Sequence, residues 1–168
     1  ELKPESFEDI IAGVALFRPG PMEQIPTYVA NKKNPDHVHY LHEILEPILN
    51  VSYGCMVYQE QVMQIVRDVA GYSMARSDMV RRAMSKKKMD VMERERKVFI
   101  YGEKDKEGNI LVEGAIKRGV PGEIADKIYD QMIDFANYAF NKSHAAAYAV
   151  VGYQTAYLRK YYPVEFFS

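Results

Sequence analysis

The run richest in chemistry is Phe140-Asn141-Lys142-Ser143-His144, followed by Ala145-Ala146-Ala147-Tyr148-Ala149. Ser143 is a good N-cap, so a helix is expected to start there, with a first turn of small residues that a ligand can approach. A helix start presents unpaired N–H groups and a partial positive charge, both suited to phosphate. Lys142 adds a full charge, and His144 adds a donor whose charge depends on its surroundings. Together they describe a polyphosphate-binding helix start. An ordinary capped helix with one exposed lysine and a core-edge histidine fits the same residues equally well.

Arg18 lies between Phe17 and a Pro19-Gly20-Pro21 turn. A stiff backbone there makes its guanidinium a candidate bidentate phosphate clamp; the alternative is a surface arginine beside a structural turn. Arg81, Arg82, Lys86, Lys87 and Lys88 place five cations within eight residues. Residues 74–104 hold ten Lys/Arg against five Asp/Glu, a net of +5, in a chain whose total is −1. That asymmetry fits contact with a nucleic-acid backbone, and also a solvated loop between helices. Tyr58, Gln59 and Gln61 open a helix with amide and aromatic groups able to bond or stack against bases, or simply to cap and pack it.

Other chemistries find little support. Asp126, Asp130 and Asp134, spaced by four on one helix, are expected to form a partner surface or solvated face rather than a two-metal site. No Gly-rich phosphate loop occurs. His37, His39 and His42 lack Cys or carboxylate partners at zinc spacing and read as surface residues. The single cysteine, Cys55, excludes a disulfide framework.

These groups must be positioned by the elements around them. Hydrophobic residues make up 48% of the 168, enough for a packed core and against disorder. The longest apolar stretch, residues 145–153, is far below the ~20 residues needed to cross a bilayer. Neither a secretory leader nor a membrane segment is expected, and both ends look cut from a longer cytoplasmic protein. Residues 1–55 hold six of the eight prolines and read as loop-rich, with one short helix over residues 7–14 capped by Ser6. Residues 56–168 read as helical. Apolar residues recur at three and four from Met56 to a stop at Gly71; a second helix is capped by Ser73 or Ser77; a third covers residues 89–101. Gly108-Asn109 marks a turn or short hairpin near residues 105–119. Pro121-Gly122 opens a helix with Ile124, Ile128, Met132 and Phe135 on one face. The last helix, from Ser143 to before Pro163, is apolar nearly all round and is expected to be central. The fold class is mainly α.

In order along the chain, several blocks resemble the bacterial C-family replicative DNA polymerases, DNA polymerase III alpha subunits. The first are Ala15-Leu16-Phe17-Arg18-Pro19-Gly20-Pro21-Met22 and Val57-Tyr58-Gln59-Glu60-Gln61-Val62-Met63. Ala70-Gly71-Tyr72-Ser73, Arg81-Arg82-Ala83-Met84 and Lys86-Lys87-Lys88 follow. The series closes with Phe135-Ala136, Tyr138, the Phe140 to Ala149 run and Tyr162-Pro163-Val164-Glu165-Phe166. Two positions depart from the family pattern: Ser85 and Ala139 stand where glycine is usual.

The resemblance implies that residues 1–168 form a fingers domain, with a palm carrying the catalytic aspartates and Mg²⁺ upstream. It implies that Arg18, Lys142, Ser143 and His144 face the triphosphate of an incoming dNTP. Arg81, Arg82, Lys86, Lys87 and Lys88 would lie on the nucleic-acid or nucleotide side. Template-primer DNA, dNTP, the palm and other replisome subunits such as a sliding clamp are the implied partners, and the isolated domain would not polymerise. The competing classes are a non-catalytic helical nucleic-acid clamp and a protein-interaction scaffold docking through Asp126 to Asp134.

Overall fold

The computed structural model describes residues 2–18, 21–136 and 140–167. The expected Pro19-Gly20 turn, Tyr138 and Ala139 lie outside them. The fold is mainly α. Helix α1 (Phe7–Leu16) starts at a reciprocal capping box in which Ser6 and Asp9 bond each other's backbone N–H. The loop-rich first third holds more helix than its prolines led us to expect: α2 (Ile25–Lys33), the single turn α3 (Glu46–Leu49) and four 3₁₀ turns. Pro26 and Pro47 sit in the opening turns of α2 and α3, where a missing N–H has no intrahelical partner to lose.

Helix α4 (Gln59–Ala70) ends at Gly71 in the left-handed region (φ 78°), and α5 (Met74–Ser85) is capped by Ser73. Helix α6 (Met89–Tyr101) leads into an antiparallel hairpin of β1 (Glu103–Lys104) and β2 (Ile110–Val112), and α7 (Gly122–Ala136) follows. The chain closes with α8 (Lys142–Tyr161) and α9 (Pro163–Phe167).

The α5–α6 turn answers the Ser85 question. Lys87 N–H bonds the Met84 carbonyl and Lys88 N–H the Ala83 carbonyl, a Schellman closure. Its left-handed residue is Lys87 (φ 52°), while Ser85 stays helical, so glycine is not needed at position 85.

Two cores hold these elements. The larger packs α4, α5, α6 and α7 around Ile65, Val66, Val69, Phe99, Ile128 and Tyr129. The smaller joins α1, Tyr28, the Cys55–Tyr58 strand-like segment, and Ala145 and Ala149 of α8. The start of α4 passes from one core to the other.

The expectation that α8 is central is corrected. Ala145 and Ala149 are fully buried against α1, but from residue 150 onward the helix is exposed, with Val151 at 59% and Tyr161 at 57%. An apolar surface all round needs partners all round, and the described residues supply one only for the first turns. The acidic row is also less free than expected: Arg96 of α6 bridges Asp126 and Asp130.

Buried charges are paired. Glu95 (1% exposed) takes Arg76 Nη2 and Nε at 3.0 and 3.1 Å along one guanidinium edge and the Tyr72 hydroxyl at 3.0 Å, fixing α5 on α6. Asp9 (1% exposed) receives Lys32 Nζ at 2.9 Å, the Tyr28 hydroxyl at 3.3 Å and the Glu5 and Ser6 amides, fixing α1 on α2. Burial pushes the Asp9 carboxyl up, yet the Glu5 amide, Lys32 and Ser6 outweigh it and hold it below the ordinary aspartate value. A folded-state pKa below the unfolded one adds stability that is fully present above about pH 4 and vanishes as pH falls through the lower folded value. Asp9→Asn is therefore expected to be less stable near neutrality, and acid titration of urea midpoints should show the difference from wild type shrinking below pH ~4. A difference that stays constant down to pH ~2 would remove the linkage.

Candidate nucleotide-binding site

The site is built where two helix starts lie side by side. Gln59 N–H donates to the Phe140 carbonyl at 2.9 Å, and Tyr58 and Phe140 form an isolated parallel bridge. That places the amino ends of α4 and α8 together, so two partial positive charges converge. Glu60, in the first turn of α4, answers them: its carboxylate takes the Asn141 side-chain amide at 2.9 Å and the Lys142 backbone N–H at 3.1 Å.

Two expected cations meet here. Arg18, just past the end of α1, bonds the Ala15 carbonyl through Nε at 3.2 Å and places its guanidinium carbon over the Phe140 ring, 4.0 Å from its centroid. Burial lowers the pKa of its guanidinium, as expected for a cation drawn partly out of water. Lys142 Nζ sits 3.0 Å from Glu8 of α1 and 5.1 Å from the centre of the Tyr58 ring. The His144 ring packs T-shaped against both Phe140 (5.4 Å) and Tyr148 (4.8 Å), and the residue is exposed.

Three expectations need correction. The N-cap of α8 is Asn141, whose Oδ1 accepts His144 N–H at 3.0 Å, so Ser143 lies inside the first turn. With Asn141 capping, Ser143 is left exposed in the first turn, and among the described residues its hydroxyl bonds nothing. Gln61 is buried: its Oε1 accepts the Val57 and Tyr58 amides at 2.8 and 3.0 Å, and its Nε2 donates to Ser52 Oγ at 2.7 Å and the Ile48 carbonyl. Tyr58, 2% exposed, packs in the smaller core, and burial raises its phenol pKa. A base reaches neither side chain in this arrangement; both brace the start of α4.

Gln59 links the site to the basic stretch. Its Oε1 accepts from Arg81 Nη1 at 3.0 Å, while Asp78 holds Arg81 (2.7 and 3.0 Å) and Arg82 (2.7 Å) on one turn. The Arg81 hydrogen bond leads in holding the Asp78 carboxyl below the ordinary aspartate value. Arg82, Lys86, Lys88 and Arg94 line an open groove of about 550 Å³ between α5 and α6, floored by Met79 and Ala83. Lys87 is exposed at the turn. None of the contacts above joins Lys86, Lys87 or Lys88 to Arg18 or Lys142.

Glu8, Glu60, Phe140 and Asp78 complete the constellation, and sequence reasoning assigned none of them a role. Glu60 and Lys142 are 82 positions apart, so no local spacing announces the contact. Among the described residues, no three His, Cys, Asp or Glu side chains gather as a metal site.

Residues 1–107 match the family described as the bacterial DNA polymerase III alpha subunit finger domain. The chain belongs to that family. It is also 47% identical over 168 residues to the DNA polymerase III alpha subunit of Halalkalibacterium halodurans and 48% over 172 residues to that of Thermus aquaticus. The Bacillus subtilis protein of the same name is 46% identical over 165 residues. These alignments cover 98–100% of the chain but only 13–14% of each relative, so the chain spans about one-seventh of their length.

The Glu60 cap is testable. Glu60→Ala leaves the Lys142 amide and the Asn141 side chain without their acceptor. The finger domain should lose about 1–2 kcal/mol in urea unfolding, as for loss of a helix N-terminal acceptor. Stability unchanged to within ~0.3 kcal/mol would mean that water replaces the carboxylate fully.

Proposed function

We propose that this finger domain works inside a DNA-directed DNA polymerase of bacterial chromosome replication, where it binds the triphosphate of the incoming dNTP and contacts template-primer DNA. The observation that carries the reading is the convergence of Arg18, Lys142 and His144 on the paired starts of α4 and α8. The reaction is in-line attack of the primer 3′-hydroxyl on the α-phosphorus, with pyrophosphate leaving. As the bridging bond breaks, negative charge grows on the β- and γ-phosphate oxygens. Arg18 supplies a flat two-pronged donor preset against Phe140, and Lys142 supplies a point charge. The His144 ring and the Ser143 hydroxyl offer further donors beside them.

The carboxylates of this domain do not fit a catalytic metal centre. Arg96 occupies Asp126 and Asp130, and no other cluster forms among the described residues. We assign Mg²⁺ and its aspartates to a palm elsewhere in the polymerase, which leaves the finger domain alone inactive. The bare face of α8 beyond Ala149 supports packing against the rest of that polymerase chain. Contact with a sliding clamp and other replisome subunits falls to regions outside these residues. No helix among those described is long and apolar enough to cross a membrane, and we place the protein with the chromosome in the cytoplasm.

The groove of Arg82, Lys86, Lys88 and Arg94 favours DNA contact as part of the same function. A free-standing clamp would need that groove alone, whereas Gln59 ties Arg81 to the nucleotide site. A scaffold docking through its acidic row is disfavoured by Arg96, which already bridges two of the three aspartates.

Two measurements check these roles. In the full-length polymerase, Arg18→Ala or Lys142→Ala should lower kcat/KM for dNTP by about 10²-fold, the scale of one lost transition-state charge contact, with primer-template affinity nearly kept. Unchanged incorporation kinetics in both variants would remove the triphosphate role. Neutralising Lys86, Lys87 and Lys88 to Gln should flatten the slope of log affinity for primer-template against log salt by up to ~3. An unaltered slope would take the turn away from the phosphate backbone.

A further inference from the structure

We propose that Glu8 is an electrostatic competitor built into the triphosphate site: its carboxylate holds the Lys142 ammonium in the nucleotide-free domain and is displaced by the incoming polyphosphate. The inference rests on the role proposed above for Lys142. Glu8 Oε2 lies 3.0 Å from Lys142 Nζ, and the two side chains are 48% and 33% exposed, so the pair is open to exchange with a dissolved anion. Among the described residues, Glu8 takes no other ion pair or hydrogen bond.

The other carboxylate of the site behaves differently. Glu60 is half-buried and bonds a backbone amide and a side-chain amide at once, joining α4 to α8. It is a fixed cap that a triphosphate leaves in place. Glu8 makes one contact, to the single group of the pair that can swing on a long stem. The two ends of α1 straddle the start of α8: Glu8 in its first turn reaches Lys142, and Arg18 past its last turn reaches Phe140. The same helix thus presents one cation to the substrate and restrains the other. A triphosphate brings several charges to the carboxylate's one, so it wins the ammonium where a weakly charged anion does not.

The exchange predicts a gain of function. Half-exposed ion pairs are weak, so freeing Lys142 should tighten binding by a small factor. The test uses full-length polymerase on a primer-template with a dideoxy-terminated primer, titrated with dATP at low salt, comparing wild type with Glu8→Gln, Lys142→Ala and the double variant. Glu8→Gln retains the size of the side chain, and the Ser6–Asp9 capping box keeps α1 folded. The expected result is dATP binding tightened about two- to five-fold by Glu8→Gln. The gain should fade as salt rises and be absent when Lys142 is already alanine. If Lys142→Ala weakens binding but Glu8→Gln leaves it unchanged or weaker, Glu8 is no competitor and the triphosphate role of Lys142 survives. If Lys142→Ala has no effect on dATP affinity, the underlying reading of the site fails as well.

Discussion

The hydrogen bond between Gln59 N–H and the Phe140 carbonyl sets the constraint around which the site is arranged. It brings two helix amino ends to one place, and like ends of helix dipoles repel. Such a junction persists only with compensating negative charge, and Glu60 supplies it at the Lys142 amide. Arg18 and Lys142 add two full positive charges beside the joined helix starts. Each cation is accommodated by a soft or exchangeable partner: Arg18 by the Phe140 ring, Lys142 by the Tyr58 ring and Glu8. The free domain therefore holds its two candidate phosphate-binding cations against Phe140, Tyr58 and Glu8.

Rigidity around that junction comes from buried polar groups rather than from apolar packing alone. Gln61 uses all of its amide within the fold and sets the backbone entering α4. Asp9 ties α1 to α2, which fixes the helix that carries both Glu8 and Arg18. Glu95 and Arg76 tie α5 to α6, and through Gln59 and Arg81 the basic helix is indexed to the nucleotide site. Arg81 of α5 is thereby bonded to Gln59 at the start of α4, which gives the two sets of cations a common frame.

The chain's own pattern revealed much of this and concealed specific parts. The stop at Gly71, the Ser73 cap and the helix over residues 89–101 follow from local rules that tertiary contacts leave intact. Lys142 and His144 stood out because they flank a helix start, and Arg18 because it precedes Pro19-Gly20-Pro21; the structure sets these side chains against the Phe140 or Tyr58 ring. Other features were hidden for physical reasons. Proline density in the first third disguised α2, since proline is accepted in a first helical turn. Burial of Tyr58 and Gln61 depends on Ser52, Ile48 and α1, none of which a short window contains. The outer half of α8 looked like core because an apolar helix reads the same whether its partner lies within the chain or beyond it. Asn141 and Ser143 are both good caps two positions apart, and only the backbone chooses between them.

The central claim is that polyphosphate oxygens settle between Arg18 and Lys142 at the joined starts of α4 and α8. A structure of the intact polymerase with primer-template and bound dNTP tests it most directly. The account predicts β- or γ-phosphate oxygens within hydrogen-bonding distance, roughly 3 Å, of the Arg18 guanidinium and the Lys142 ammonium, with Glu8 turned away. A triphosphate bound elsewhere, with the Glu8–Lys142 pair intact, would contradict it.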